Sequence, residues 1–414
     1  MVKSILIIHR HLIYGGAEKY TLNLANALSA KGISVTLITG GGPLAAYVSP
    51  DVTQFTLPIS RKPRMKQIVE KRILEIARAC KPQIIHTQCR ASMVNSQLAR
   101  DVLNIPLVTH EHHMYELADY PFIVNELRDG ADKIITIGPY TAKELVTNGL
   151  DKDGIVPVIN GIDTQVILPI KQEERRVARE LLRLSESDKV IVCLSRLEDG
   201  KGIDKLARGF IKIAQRVPEA KLFVVGDDER NEVKPFLRKI IEEHNLQDRF
   251  FVLPGEYNIR KYHAVADVFC YPALVKGMAV MEAMAAGLPI VGKKTDRQPL
   301  AVEHNVSGLM TEPTEHYRID PDELAEKLTY LLNRPNLSKQ MGKAARTTIE
   351  DRFNLQDHVV NILNVYNSML EEFSQDTPVV VPSIEDMVNE DTTPLSRFLG
   401  QKQKPNISKL KRVL

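Results

Sequence analysis

A chain of 414 residues exceeds the size at which one hydrophobic core keeps growing, so two domains are expected. Hydrophobic residues make up 43% and the formal net charge is only +3, which suits a folded globular protein and excludes a charge-driven nucleic-acid binder. The four cysteines, Cys80, Cys89, Cys193 and Cys270, lack metal-ligand spacing and mostly neighbour apolar runs, as free thiols in a reducing compartment do.

The first apolar stretch, Val2-Lys3-Ser4-Ile5-Leu6-Ile7-Ile8, is too short for a signal peptide and breaks at His9-Arg10, so it reads as a buried strand. No run reaches the length of a membrane-spanning helix, and a cytoplasmic location is expected, with peripheral contact at the inner face of the membrane left open. Strands at residues 5–9, 35–39, 84–87, 107–109, 133–137 and 156–159 alternate with helical patterns such as 17–31, 66–80 and 92–102. That alternation predicts an α/β unit, a parallel sheet covered by helices, over residues 1–163.

Pro169 and the charged stretch 171–183, read as a short linker leading into a helix, interrupt the pattern. Strands then resume at 190–194, 221–225, 250–253, 268–271 and 289–291, giving a second Rossmann-like unit over residues 164–355. Two such units facing one another enclose a cleft at the carboxyl ends of their strands, where ligands of open α/β sheets bind. Helices follow at 324–332, 337–352 and 356–372, the last with apolar Val359, Val360, Leu363, Val365, Tyr366 and Leu370. Residues 374–414 are rich in Ser, Asp, Thr and Pro and end in Lys409-Leu410-Lys411-Arg412, so a flexible tail is expected, with at most short helices at 384–388 and 394–399.

Four stretches carry chemistry. Tyr14-Gly15-Gly16-Ala17-Glu18 joins the first strand to the first helix, and its glycines let backbone N–H groups approach an anion. Pro106-Leu107-Val108-Thr109-His110-Glu111-His112-His113 ends a strand in three histidines, at least one of which should face the cleft; a polar lining is favoured over a metal site, because no matching Cys or Asp cluster accompanies them. In Ser195-Arg196-Leu197-Glu198-Asp199-Gly200-Lys201-Gly202, two cations stand where a strand hands over to a helix start, a place that suits a diphosphate. Finally, Gly277-Met278-Ala279-Val280-Met281-Glu282 opens a helix of small residues with one carboxylate near its first turn, serving either the helix dipole or vicinal hydroxyls. The cationic loop Arg61-Lys62-Pro63-Arg64-Met65-Lys66 is either a solvated charge run or a contact for an anionic acceptor or acidic lipids.

Together with Asn160-Gly161-Ile162-Asp163, Val225-Gly226-Asp227, Ala266-Asp267-Val268 and Glu303-His304-Asn305-Val306-Ser307-Gly308-Leu309, this ordered set resembles glycosyltransferase family four, the retaining enzymes of GT-B fold. The resemblance covers residues 3–372 and implies a transferase, a hexosyltransferase by expectation, that moves a sugar from a nucleotide-sugar donor to a glycan, lipid-linked or small-molecule acceptor. Cell-envelope polysaccharide synthesis is the expected setting. It implies that Arg196 and Lys201 grip the donor diphosphate with help from Gly15 and Gly16. Gly277, Met278 and Ala279 add N–H groups, and Glu282 holds the ribose. His112, with His110 a close rival, contacts the sugar; no metal or other cofactor is expected, and a C-terminal helix, about 356–373, packs back on the first domain. The family commonly carries two glutamates in an E-x7-E pattern, and here the first position is Leu274. A catalytically silent GT-B partner protein and a nucleotide-sugar epimerase are the alternative readings.

Overall fold

The computed structural model describes residues 1–112, 119–228, 231–273, 277–294, 301–314 and 319–375. The first unit runs β1 (Ser4–Ile8), α1 (Gly16–Ala30), β2 (Ser34–Thr39), β3 (Thr53–Thr56), α2 (Pro63–Cys80), β4 (Ile84–Thr87), α3 (Arg90–Leu103), β5 (Leu107–Glu111), α4 (Tyr120–Gly130), β6 (Lys133–Thr136), α5 (Pro139–Thr147) and β7 (Ile155–Pro157). Its strands pair in parallel in the order β3-β2-β1-β4-β5-β6-β7. The near-continuous apolar run of β1 follows from burial on both faces of such a sheet.

The second unit runs α6 (Gln172–Leu181), β8 (Lys189–Leu194), α7 (Ile203–Arg216), β9 (Ala220–Val225), α8 (Val233–Glu243), β10 (Phe250–Leu253), α9 (Arg260–Val265), β11 (Val268–Tyr271), α10 (Met278–Ala285), β12 (Ile290–Lys293), β13 (Gly308–Thr311), α11 (Pro321–Leu332) and α12 (Pro335–Arg352). Its parallel order is β10-β9-β8-β11-β12-β13. Both units are therefore α/β, with helices covering parallel sheets.

The stretch expected as a linker at 171–183 is itself largely α6. Its charges anchor it: Arg175 donates to Ala266 O at 2.9 Å and to the Asp267 carboxylate at 2.6 Å. Of the four cysteines, Cys193 and Cys270 are buried while Cys80 and Cys89 are half-buried, all as free thiols.

The chain crosses between units twice, and the crossings meet. Ile162 N donates to Phe353 O at 2.7 Å and Leu355 N returns a bond to Ile162 O at 2.9 Å. A Cβ on Gly161 would lie 2.7 Å from Asn354 O and from Leu355 Cα, so a side chain there would part the crossings. From this point α13 (Leu355–Gln375) packs into the core of the first unit through Val359, Ile362, Val365, Tyr366 and Met369. Each such side chain contributes about 1.5–3 kcal/mol relative to exposure. Val360, expected on the apolar face, instead points to solvent, and Ile362 and Met369 take the inner positions. The tail readings at 384–388 and 394–399 fall outside the described residues.

Candidate active site

A cavity of about 550 Å³ opens between the carboxyl ends of the two sheets, and Gly15, Gly16, His112, Arg196, Lys201, Gly277, Met278, Ala279 and Glu282 all line it. Residues from four separate stretches of chain thus converge on one place. Leu274 and His113 lie outside the described residues.

On the wall of the second unit, β8 delivers Arg196 and the loop returns through Lys201 to Gly202, the residue before α7. Gly202 has φ +69°, and a Cβ there would stand 2.6 Å from Pro272 O, so the left-handed turn that aims Lys201 requires glycine. No side chain caps α7. Arg196 Nη1 rests 2.8 Å from Glu198 Oε1. Burial, and then Arg196, hold the Lys201 ammonium below its ordinary pKa, against the pull of Glu198. The loop is fixed from below, because Leu197 N donates to Asp227 O at 2.8 Å and Asp227 Oδ1 accepts from Gly255 N at 2.9 Å.

Two helix starts face this wall. Helices α1 and α10 begin after Gly15 and Gly277, neither with a side-chain cap, and Gly16 lies so close to α10 that a Cβ would meet Met278 Cγ at 3.6 Å. Glu282 falls in the middle of α10 rather than at its first turn, so dipole complementation does not account for it. Its carboxylate is 3% exposed and forms an ion pair with Lys19 of α1, across the cleft. Among the described residues no donor meets Oε1 at hydrogen-bonding geometry. Beside it, Lys19 Nζ lies 5.5 Å from the Tyr257 ring centroid, and Tyr257 stacks on Tyr47 at 3.6 Å, joining the units again.

The histidines at the end of β5 belong to a buried network. His112 Nε2 lies 2.9 Å from Gln88 Oε1, Gln88 Nε2 lies 3.1 Å from His86 Nε2, and His86 Nδ1 lies 2.6 Å from Tyr366 OH on α13. This pattern fits one tautomer set, in which His112 donates through Nε2, Gln88 donates to His86 and His86 donates through Nδ1. Burial holds His86 down to about pKa 3, so it stays neutral as that set requires. His110 stacks on His112 at 4.1 Å and is likewise held well below its ordinary pKa by burial. A parallel link joins Tyr20 OH to His358 Nε2 at 2.9 Å, with His358 pushed down to about 4 by burial.

Sequence reasoning did not single out Lys19, Gln88 or Tyr257. Lys19 directly follows the Gly-Gly motif and Gln88 directly follows β4, so position after a strand or motif was the available signal. Among the described residues, the cluster shaped for a metal ion is His9, His11 and Glu18, whose ligand atoms lie within 4.8 Å of one another. His11 Nδ1 already engages Glu18 at 3.3 Å, and that contact helps keep the Glu18 carboxyl below its ordinary pKa against the desolvation of burial. The pair His110 and His112 does not form such a cluster. No helix among the described residues is long and apolar enough to cross a membrane.

The family model described as Glycosyltransferase Family 4 matches residues 14–166, and that described as Glycosyl transferases group 1 matches residues 174–348. An uncharacterized glycosyltransferase of Haemophilus influenzae is 26% identical over 348 residues, covering 81% of this chain and 92% of the relative. The N-acetyl-alpha-D-glucosaminyl L-malate synthase of Bacillus anthracis is 23% identical over 377 residues, covering 86% of this chain and 95% of its own. Among solved structures, Anabaena HepE in complex with UDP-glucose superposes with a TM-score of 0.76 at 19% identity, covering 88% of this chain and 99% of that one. A glycosyltransferase from Rickettsia africae gives a TM-score of 0.76 at 20% identity, covering 89% and 99%. With both halves matched in order and the two parallel-sheet units in place, the chain belongs to glycosyltransferase family four and is a glycosyltransferase of GT-B fold.

Proposed function

We propose that the enzyme transfers a sugar from a nucleoside-diphosphate sugar to a hydroxyl of a glycan, lipid-linked or small-molecule acceptor, with retention at the anomeric carbon and without a metal or other cofactor. The observation that carries this reading is the convergence of Arg196, Lys201 and the uncapped starts of α1 and α10 on one cavity with Glu282. When the bond from the anomeric carbon to the diphosphate breaks, negative charge develops on the leaving oxygen. Fixed cations and N–H dipoles bind that added charge more tightly than they bind the ground state, whose bridging oxygen is uncharged, which lowers the barrier. The acceptor oxygen bonds to the same face of the anomeric carbon, and its proton passes to the departing phosphate. His112, which lines the same cavity, is assigned to the sugar, and Glu282 takes the ribose hydroxyls once they replace Lys19. Acceptor binding falls to the first unit. A nucleotide-sugar donor is in keeping with the structure of HepE, a neighbour in fold that holds UDP-glucose.

A thermal-shift panel of nucleotide sugars and nucleoside diphosphates tests the reading, since a ligand bound only by the native state raises Tm. A response to at least one nucleoside diphosphate is expected, lost in Arg196→Ala and Lys201→Ala. No response to any of them would overturn it. Conversion of the donor to an epimeric sugar, with no glycosylated acceptor, would favour the epimerase instead.

A further inference from the structure

The wall of the cavity facing Arg196 and Lys201 carries cations that a donor diphosphate does not use. Arg10 follows β1, Arg61 precedes α2 and Arg90 opens α3, and all three line the cavity from the first unit. Arg61 and Arg90 converge on a single carboxylate: Arg61 Nη2 contacts Glu126 Oε1, and Arg90 Nη1 donates to Glu126 Oε2 at 3.0 Å. Glu126, on α4, is a half-buried post, 14% exposed at its side chain, that both guanidiniums contact. The loop bearing Arg61 is fixed as well, since Asn95 Nδ2 of α3 donates to Ser60 O at 2.9 Å. Burial, and then Arg90, lower the affinity of Arg61 for its proton, as expected of two cations held close together. Two guanidiniums thus share the carboxylate of Glu126 at one place in the cavity lining.

We infer that Arg61 and Arg90, held by Glu126, form a subsite for a phosphate monoester carried by the acceptor. Guanidinium forks match the tetrahedral oxyanion with paired N–H donors, which a solvated lysine patch does not. The subsite deepens the transferase reading and rests on it for the meaning of "acceptor", but the anion site itself stands on the residues of the first unit alone. A phosphate there anchors the acceptor on the side opposite the leaving diphosphate, with the cavity between them for the reacting hydroxyl.

Titration of the Arg196→Ala/Lys201→Ala protein with glycerol 3-phosphate at constant ionic strength, followed by calorimetry, isolates this subsite from the diphosphate grip. Saturable binding is expected, with none for glycerol, and adding Arg61→Gln and Arg90→Gln should weaken it about tenfold or more. Arg61→Lys with Arg90→Lys keeps the charge and loses the fork, and weaker binding there supports the same conclusion should the Gln pair not fold. Co-sedimentation with phosphatidic acid vesicles that depends on Arg61 and Arg90 would assign the phosphate to a lipid headgroup; glycerol 3-phosphate binding without vesicle binding would assign it to a soluble acceptor. Absence of phosphate binding, or equal binding in the arginine variants, would overturn the inference whether or not a nucleoside diphosphate binds the native protein.

Discussion

Lys19 and Glu282 join the two units of the enzyme by an ion pair that spans the cleft. Glu282 is nearly sealed from solvent, so the pair compensates a carboxylate that would otherwise be stranded. Removing one partner of a buried pair costs about 3 kcal/mol. Lys19→Met is therefore expected to lower the unfolding free energy by about that amount in denaturant titrations. Unchanged stability would show that the pair contributes nothing in solution.

Because the same carboxylate is assigned to the ribose, Glu282→Gln should weaken nucleoside-diphosphate binding about tenfold while leaving the fold intact. Calorimetry with the nucleoside diphosphate and with inorganic pyrophosphate separates the causes: pyrophosphate, which has no ribose, should bind both proteins alike. Equal loss for both ligands would remove Glu282 from the ribose site.

His112 is positioned through Gln88, and Gln88 through His86 and Tyr366 of the returning helix. Gln88→Leu is expected to lower kcat by about tenfold to a hundredfold with little change in donor KM, since a reacting group misplaced by about 1 Å loses that much. A rise in KM at constant kcat would instead place Gln88 in ground-state binding.

Gly202 carries the turn that presents Lys201. Gly202→Ala combines a φ of +69° with a Cβ 2.6 Å from Pro272 O and should cost about 1–3 kcal/mol of stability, with a larger loss of donor affinity than of fold. Thermal melts with and without nucleoside diphosphate give both readings.

Buried neutral histidines make the protein sensitive to acid. His86 and His263 are held at about 3 and His358 at about 4, all chiefly by burial, against about 6.5 when unfolded. Between those values the unfolded chain binds more protons than the folded one, so stability falls as pH drops below about 6.5. Each histidine contributes up to about 1.4 kcal/mol per pH unit through that window. Tm measured from about pH 7 to about pH 4 should fall more steeply than for His358→Gln; identical slopes would contradict this account.

How much of this was legible before folding depends on where the signal sat. The strands of both sheets and the cations Arg196 and Lys201 were readable, because buried parallel strands are continuous apolar runs and a strand-to-helix junction has a recognisable layout. β3 and β13 were not, since Thr-Gln-Phe-Thr and Gly-Leu-Met-Thr are four-residue segments at sheet edges without a sustained apolar run. Lys19 and Gln88 look ordinary in one dimension. Their meaning comes from a partner 263 positions away in one case and from a histidine held by the last helix in the other, and tertiary packing alone supplies both. The charged stretch 171–183 misled for a related reason: Arg175 bonds to Ala266 O and Asp267 in the body of the second unit.

The central claim is that Arg196 and Lys201 hold the diphosphate of a nucleotide sugar as it leaves. Release of free nucleoside diphosphate from a panel of nucleotide sugars, with and without candidate acceptors, tests it most directly. The account predicts release from at least one donor, accelerated by an acceptor and reduced about a hundredfold or more in Arg196→Ala. Release at the native rate in both Arg196→Ala and Lys201→Ala, or no release from any nucleotide sugar, would contradict it.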